Sequence, residues 1–195
     1  MQHSSPDISI RRLTPDDANV YRSLMLQAYA DYPDAFTSSV AEREALPMTW
    51  WAERLAVETR AREWVWGAFC DGALVGVVGL TAQTREKARH KATLFGMVVS
   101  VAHRGRKLGQ RLVQAVLDHA AQQPDLRLVQ LTVTQGNAAA QSLYERMGFQ
   151  PFGVEPMAVA VVGGYVNKVH MWCPLPGHAG ACGESGRGGQ GLPGL

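Results

Sequence analysis

Three basic residues and two glycines lie in one short turn, and their spacing could hold a phosphate group. An apolar stretch, residues 93–100, precedes the turn Arg-Gly-Arg-Lys-Leu-Gly at 104–109, and an amphipathic stretch follows it to residue 123. These patterns predict a strand, a turn and a helix. A helix N-terminus offers unpaired N–H groups and partial positive charge, and glycines let a ligand approach the backbone. We therefore expect the turn to bind a pyrophosphate; the alternative is a helix N-terminus with a solvated basic face.

This segment does not match the common nucleotide-binding motifs. It contains neither the dinucleotide fingerprint G-x-G-x-x-G nor the P-loop G-x-x-x-x-G-K-[S/T]. Nicotinamide chemistry and nucleotide hydrolysis therefore lose the motifs on which they usually depend.

A second segment with chemical potential follows about 30 residues later, after an apolar stretch at 127–134. It runs from Asn137, a good helix cap, to Gly148, a good helix end. Between them, Tyr144 belongs to an apolar stripe at helical spacing. The tyrosine is therefore a candidate either for proton transfer or for packing.

Together the two segments resemble the GNAT superfamily, the acyl-coenzyme A-dependent N-acetyltransferases. The signature [Q/R]-x-x-G-x-[G/A] of that family lies over residues 104–109. Lys107 replaces its central glycine, and we expect this lysine to lie in the first helical turn, where a side chain is tolerated. The resemblance extends over most of residues 8–173. The family segment N-x-x-A-x-x-[L/F]-Y-x-x-x-G-F matches Asn137, Ala140, Leu143, Tyr144, Gly148 and Phe149.

The resemblance implies a binding site for acetyl-coenzyme A as cosubstrate, without a metal. It implies that backbone groups of Met97 and Val99 pair with the pantetheine arm, which lies like an extra strand against the sheet. Asn137 is implied to contact the pantetheine from the other side, in addition to capping its helix. The implied pyrophosphate site consists of Arg104, Gly105, Arg106, Lys107, Gly109 and Gln110.

The resemblance also suggests how the reaction is catalysed. A phenol near the departing sulfur can donate a hydrogen bond or a proton to it, and Tyr144 is the candidate for this role. The base is open: His90 and Glu155 are the candidate side chains, and a water chain is the alternative. The acceptor pocket is implied to lie at the segment 32–36 and the last hairpin, near Tyr165.

The first half of the chain predicts alternating helices and strands. A strand is expected at 8–13, followed by a helix that starts at Thr14-Pro15 and runs to about Tyr29. A second helical region at 40–60 is broken at Pro47. Apolar runs at 64–70 and 73–80 are joined by Asp71-Gly72, which indicates a hairpin.

The second half predicts a right-handed β-α-β unit made of strand 93–100, helix 107–123 and strand 127–134. Helix 137–147 follows, and two final strands are expected at 149–154 and 164–172. The chain is thus predicted to be an α/β protein, a single GNAT-like domain. Its mixed central β-sheet should have about seven strands, flanked by about four helices.

Composition limits the class of protein. The chain has 195 residues, of which 46% are hydrophobic and 18% are charged, so it can bury the core of one domain. Its net charge of +2 argues against a general nucleic-acid coat or a polybasic membrane anchor. Three cysteines without a C-x-x-C pair indicate a reducing compartment, and we expect a cytoplasmic location.

The domain is expected to span residues 6–176. Beyond it, residues 177–195 are dominated by glycine and proline and show no helical or strand period. We predict that this tail is disordered, because it cannot recover its ordering entropy by burial.

Three functions agree with these observations. The first is an N-acetyltransferase that moves acetyl from acetyl-coenzyme A to a primary amine by direct attack in a ternary complex. The second is a non-catalytic acyl-coenzyme A sensor or regulatory module. The third is a nucleic-acid binder that uses the basic turn, and its affinity should fall steeply with salt. A small-molecule or peptide amine is the expected partner, neither nucleic acid nor membrane is expected, and a homodimer is suggested by analogy.

Overall fold

The computed structural model describes residues 6–58 and 61–176, and the predicted disordered tail at 177–195 lies outside them. One sheet runs through the described residues, with strand order β1-β2-β3-β4-β5-β7-β6. The strands are β1 Ile8–Arg12, β2 Glu63–Cys70, β3 Ala73–Ala82, β4 Lys91–Val99, β5 Leu128–Thr134, β6 Gln150–Val161 and β7 Gly164–Pro174. The α-helices are α1 Ala18–Asp31, α2 Val40–Glu44, α3 Met48–Glu53, α4 Leu108–Gln122 and α5 Ala138–Arg146.

The expected α/β class and mixed seven-stranded sheet are confirmed. Strands β1 to β4 form an antiparallel meander. The hairpin between β2 and β3 turns at Asp71 and Gly72, which both have positive φ, as the Asp-Gly pair predicts. Five helices are described instead of about four, because Pro47 divides the second helical region into α2 and α3.

The predicted β-α-β unit is confirmed: β4 and β5 are parallel, and α4 connects them. Helix α4 is amphipathic, and it buries its apolar stripe on the sheet. The buried residues of this stripe are Leu108, Leu112, Val113, Val116 and Ala120.

Helices cover both faces of the sheet. Helices α4 and α5 pack on one face and share its larger hydrophobic cluster. Helices α1 and α3 pack on the other face around Met25, Trp51 and Leu55, each about 1% exposed. Helices α1 and α3 cover this second face only over β2 to β4. On the same face, the polar side of β5, β7 and β6 is not covered by these helices and lies beside the segment 33–35.

The parallel pair β4-β5 separates after three residue pairs. Lys91, Ala92 and Thr93 pair with residues 128–130, and no further pair follows. On the other edge of β4, two residues, Gly96 and Met97, oppose a single residue of β3. This bulge is possible because Gly96 adopts a φ of +61°, which a side chain would disfavour. A gap therefore opens between β4 and β5.

Strand β6 differs from its prediction. It was expected to end at Val154, and it continues to Val161 because it pairs along most of β7. The apparent break in the sequence is a bulge between Glu155 and Val159, where Met157 has a φ of +52° and donates its N–H to the Asn167 side chain at 2.9 Å. A side-chain acceptor replaces the missing ladder bond, so the strand survives an irregular sequence.

Candidate functional site

The gap between β4 and β5 opens into a cleft of about 790 Å³. The end of β4, the turn after it, the start of α4, the start of α5 and the segment 32–36 surround this cleft. The structure brings together every predicted coenzyme-binding residue except Arg106. The cleft is lined by Met97, Val99, Arg104, Gly105, Lys107, Gly109, Gln110 and Asn137.

Arg106 does not line the cleft because its side chain points the other way. Its Nη1 atom lies 3.7 Å from Sγ of Cys70, at the end of β2. The lysine and arginine side chains that line the cleft are therefore Arg104, Lys107 and Arg146, and no carboxylate is among its lining residues. These charges lie beside the free N–H groups of the first turn of α4, so the cleft is suited to an anion.

The expected conformation of Lys107 is wrong. Lys107 is not in the first helical turn: it precedes α4 as its N-cap, in the left-handed region with φ 60° and ψ 16°. The family signature has glycine at this place because only glycine adopts that conformation without a steric penalty. The turn thus has the backbone conformation that the family signature requires, and Lys107 is strained because it adopts the left-handed conformation.

Arg104 connects the turn to the segment that follows α1. Its Nη2 donates to the hydroxyl of Tyr32 at 2.7 Å, and its guanidinium lies 5.1 Å from the centre of that ring. The segment 33–35 is also fixed at its far side, because Thr134 donates to the carbonyl of Asp34 at 2.9 Å. Lys168 donates to the carbonyl of Ala35 at 3.2 Å. The segment predicted to form the acceptor pocket therefore extends from the basic turn to β5 and β7.

Asn137 caps α5, as predicted. Its Oδ1 accepts from the N–H of Ala140 at 3.2 Å, while the residue lines the cleft on the side facing β4. The helix cap therefore leaves the amide nitrogen of Asn137 free for a ligand.

Tyr144 is buried, with 6% of its surface exposed, and its ring contacts Phe149 edge to face at 5.8 Å. Burial raises the pKa of its phenol, so the hydroxyl keeps its proton at neutral and alkaline pH. The neighbouring residues Ala140 and Leu143 line the cleft, whereas Tyr144 itself packs in the larger core cluster. The phenol is thus held in its protonated form within the core, on the helix whose residues Ala140 and Leu143 line the cleft.

The two candidate bases lie in different places. His90 precedes β4, seven residues before the cleft-lining Met97, or roughly 23 Å along the strand at about 3.3 Å per residue. The structure does not bring His90 to the cleft. Glu155 lies on β6, opposite Lys168 of β7, and its Oε2 is 3.0 Å from Nε2 of His170.

Two negative findings concern the described ranges 6–58 and 61–176. They contain no group of three or more His, Cys, Asp or Glu side chains placed to hold a metal ion. No helix within them is long and apolar enough to cross a membrane.

Comparison with known proteins identifies the family. The model of the acetyltransferase (GNAT) family matches residues 23–149, more than half of the chain. The chain belongs to the GNAT acetyltransferase family. Its match includes β2 to α5, and therefore the turn at 104–109, the gap and the tyrosine helix.

Individual GNAT relatives are distant. N-acetyltransferase 8 from Rattus norvegicus is 36% identical over 114 residues, which are 57% of this chain. The match covers 50% of the rat protein, so the chain spans about half the length of that relative.

Solved GNAT structures share the fold. A GNAT-family acetyltransferase from Streptococcus pneumoniae superposes with a TM-score of 0.79 at 24% identity, over 87% of this chain and 100% of that one. The yncA structure from Salmonella typhimurium, determined with its cofactor acetyl-CoA, gives a TM-score of 0.72 at 18% identity, over 89% and 96%.

Two cleft residues and one residue outside the cleft lining, His170, were missed in the sequence. His103 lines the cleft and pairs through Nδ1 with Oγ of Ser100 at 2.8 Å. Arg146 adds a charge from the last turn of α5, and His170 pairs with Glu155 beside the segment 33–35. The GNAT motif could have indicated only Arg146, which lies two residues after its tyrosine. The other two depend on folding of the turn and of the last hairpin.

Proposed function

We propose that this GNAT protein is an acetyl-coenzyme A-dependent N-acetyltransferase that acts on a primary amine. One observation carries the proposal: the gap between β4 and β5 runs directly into a turn that is lined by cations and a free helix N-terminus. A ligand that combines an extended amide-containing arm with a pyrophosphate fits both parts at once.

The open edge of β4 suits the extended arm. Residues 94–99 have β3 on one side and the gap on the other, so backbone groups near Met97 and Val99 are available to a strand-like ligand. Asn137 reaches the same space from α5. The arm of coenzyme A carries amides that can complete this pairing.

The turn suits the pyrophosphate. N–H groups at the start of α4 have no partner within the helix, and the side chains of Arg104 and Lys107 lie beside them. Gly109 keeps the backbone accessible. These groups would hold the phosphates mostly through the backbone, and the cations would add to the attraction.

Bound acetyl-coenzyme A supplies the activated acetyl group as a thioester. The role of Tyr144 is to donate a hydrogen bond or proton to the sulfur as it departs, and its raised pKa keeps that proton in place. The segment 32–36 forms the side of the cleft from which an amine can approach. The amine then attacks the thioester directly in the ternary complex, without an acetylated enzyme as an intermediate.

The experiment is a screen of amine classes with acetyl-coenzyme A and detection of free thiol. Thiol release together with the acetylated amine, identified by mass, is the expected result. Calorimetry with coenzyme A, run in parallel, tests the cleft separately from turnover. Absence of binding would overturn the whole proposal.

The burial of Tyr144 favours one second candidate, a non-catalytic acyl-coenzyme A sensor. A tyrosine that only packs in the core would leave a cleft that binds coenzyme A without accelerating transfer. Tight binding without thiol release across the amine panel would support this function instead.

We also propose a homodimer and a cytoplasmic location. Support for the dimer is an exposed apolar hairpin, where large side chains of β6, β7 and the turn between them face solvent: Phe152, Val154, Met157, Val162 and Tyr165. Support for the compartment is that Cys70 and Cys173 are free thiols. Sedimentation at micromolar concentration tests the dimer, and localisation of a tagged chain tests the compartment.

A further inference from the structure

A histidine and a carboxylate are paired on the open face of the last hairpin. Nε2 of His170 lies 3.0 Å from Oε2 of Glu155, across the β7-β6 pair. The imidazole is one-third exposed, and the carboxylate is about half exposed. Because a carboxylate only accepts, this contact places the proton of a neutral imidazole on Nε2 and leaves the lone pair on Nδ1.

The pair lies on the side of the sheet that faces the amine-binding segment. Lys168, two residues before His170 and thus on the same face, reaches the carbonyl of Ala35 in that segment. On β5, Thr132 is the cross-strand partner of His170, two residues beyond the point where β4 and β5 separate. On β6, Gly153 is opposite His170, and the ring of the preceding Phe152 packs edge to face against the imidazole, with 5.7 Å between the ring centres.

Charged groups surround the pair in a defined way. Glu155 faces His170 from β6, Lys168 lies beside it on β7, and Asp34 lies on the segment 33–35, which contacts β5 and β6. Lys168 and Glu155 are cross-strand partners, so the carboxylate lies between two basic side chains. Glu155 therefore fixes the ring, while the second imidazole nitrogen remains available to a substrate.

We infer that His170 is the general base of the proposed acetyl transfer and that Glu155 is its positioning residue. This inference rests on the proposed function. An ammonium acceptor gives one proton to Nδ1 of His170, and the N–H electron pair stays on the amine nitrogen. That nitrogen forms the C–N bond as the C–S bond breaks, and its second proton ends on the departing sulfur. One proton is released per turnover, which His170 passes to water.

The test is the pH dependence of kcat/KM for thiol release, with the best amine of the panel. A base on the enzyme uses the ammonium form, so wild-type kcat/KM should be level from near neutral pH up to the pKa of the acceptor amine. His170→Gln keeps a hydrogen-bonding side chain and cannot take the proton. The variant must then use the free amine, whose fraction rises about tenfold per pH unit below the pKa of the amine. Its kcat/KM should therefore rise about tenfold per pH unit over the same range.

At neutral pH, we expect His170→Gln to lose about 10²-fold, the low end of general base catalysis. The loss should disappear as the pH approaches the pKa of the amine. Glu155→Gln should lower kcat about tenfold with little change in KM, because it only loosens the ring. His90→Gln is the matched control and should keep the level profile.

A level profile in His170→Gln, or a rising profile in His90→Gln, would overturn the inference. Thermal melting confirms that each variant is folded, and His170→Asn serves as a second variant of the same position. The two proposals fail differently: no thiol release by the wild-type chain with any amine contradicts the proposed function. Turnover with unchanged profiles contradicts only the role of His170.

Discussion

Replacing Lys107 by glycine should make the protein more stable and its coenzyme binding weaker. Lys107 holds a left-handed conformation immediately before α4, with φ 60° and ψ 16°. Most substitutions in a binding turn lower both stability and affinity. The opposite signs here follow from the backbone, because the side chain that supplies a charge also forces the main chain into a strained region.

The expected gain is modest and can be worked out. A left-handed conformation costs a non-glycine residue about 1–2 kcal/mol. Glycine has a more flexible unfolded chain, which removes about 0.4–1 kcal/mol of the benefit. The net rise in the free energy of unfolding is about 0.5–1 kcal/mol, equivalent to about 1–4 °C in Tm for a domain of this size.

The affinity should fall because the variant lacks one of the three cations that line the cleft. An exposed charge contributes about 0.2–1 kcal/mol, so Kd for coenzyme A should rise no more than about fivefold at low salt and less at high salt. Urea unfolding measures the first effect, and calorimetry measures the second.

Lys107→Ala is the matched control, because it removes the same charge and keeps a Cβ in the left-handed region. It should weaken binding as much as Lys107→Gly without raising stability. Equal free energies of unfolding for the two variants would refute the strain argument. Unchanged affinity in both would show that Lys107 does not contribute to the binding of phosphate.

Three other substitutions test separate parts of the structure. Gly109→Val should raise Kd for coenzyme A at least about tenfold, because its Cβ would lie 3.1 Å from Leu143 and from Met97 in the cleft; wild-type affinity in a folded variant would contradict this. Tyr144→Phe should lower kcat about 10²-fold or less with little change in KM for acetyl-coenzyme A, and an unchanged kcat under rate-limiting chemistry would make the tyrosine a packing residue. Burial raises the pKa of Tyr21 to about 12, so between pH 10 and 12 the phenol proton is lost first in the unfolded state, and the free energy of unfolding of the wild type falls by about 2–3 kcal/mol. Tyr21→Phe should reduce this loss of stability at alkaline pH, and equal slopes of unfolding free energy against pH for the two proteins would contradict the prediction.

Local patterns predicted most of the elements. The hairpin at Asp71-Gly72, the amphipathic α4 and the cap at Asn137 each depend on neighbouring residues, so the sequence contains the whole signal. The cleft was predictable to the same extent, because its turn and α5 each carry a motif. Only Arg106 points elsewhere among the predicted coenzyme residues, and side-chain direction in a turn is not encoded in the motif.

Features that join distant segments were not predictable. The contact between Arg104 and Tyr32 spans 72 residues, and the pair Glu155-His170 depends on the register of the last hairpin. That register includes a bulge, so counting alternate residues along β6 gives the wrong faces. Lys107 shows a related limit. Lysine usually avoids the left-handed conformation, but the turn requires this conformation at position 107, and the residue type alone does not predict it.

The early separation of β4 from β5 leaves backbone groups in the centre of the sheet without a hydrogen-bond partner strand, and this affects local stability. Beyond Thr93 and Gln130, the amides that point from either strand into the gap have no partner on the other strand, so they should exchange hydrogen faster than the paired amides of β1 to β3. A ligand that fills the gap binds only the folded chain, so it raises the free energy of unfolding by about 2.7 kcal/mol at one hundred times its Kd. The survival of the folded protein in a cell should therefore follow the concentration of that ligand, and a chain made when the ligand is scarce should be the one that proteases remove first.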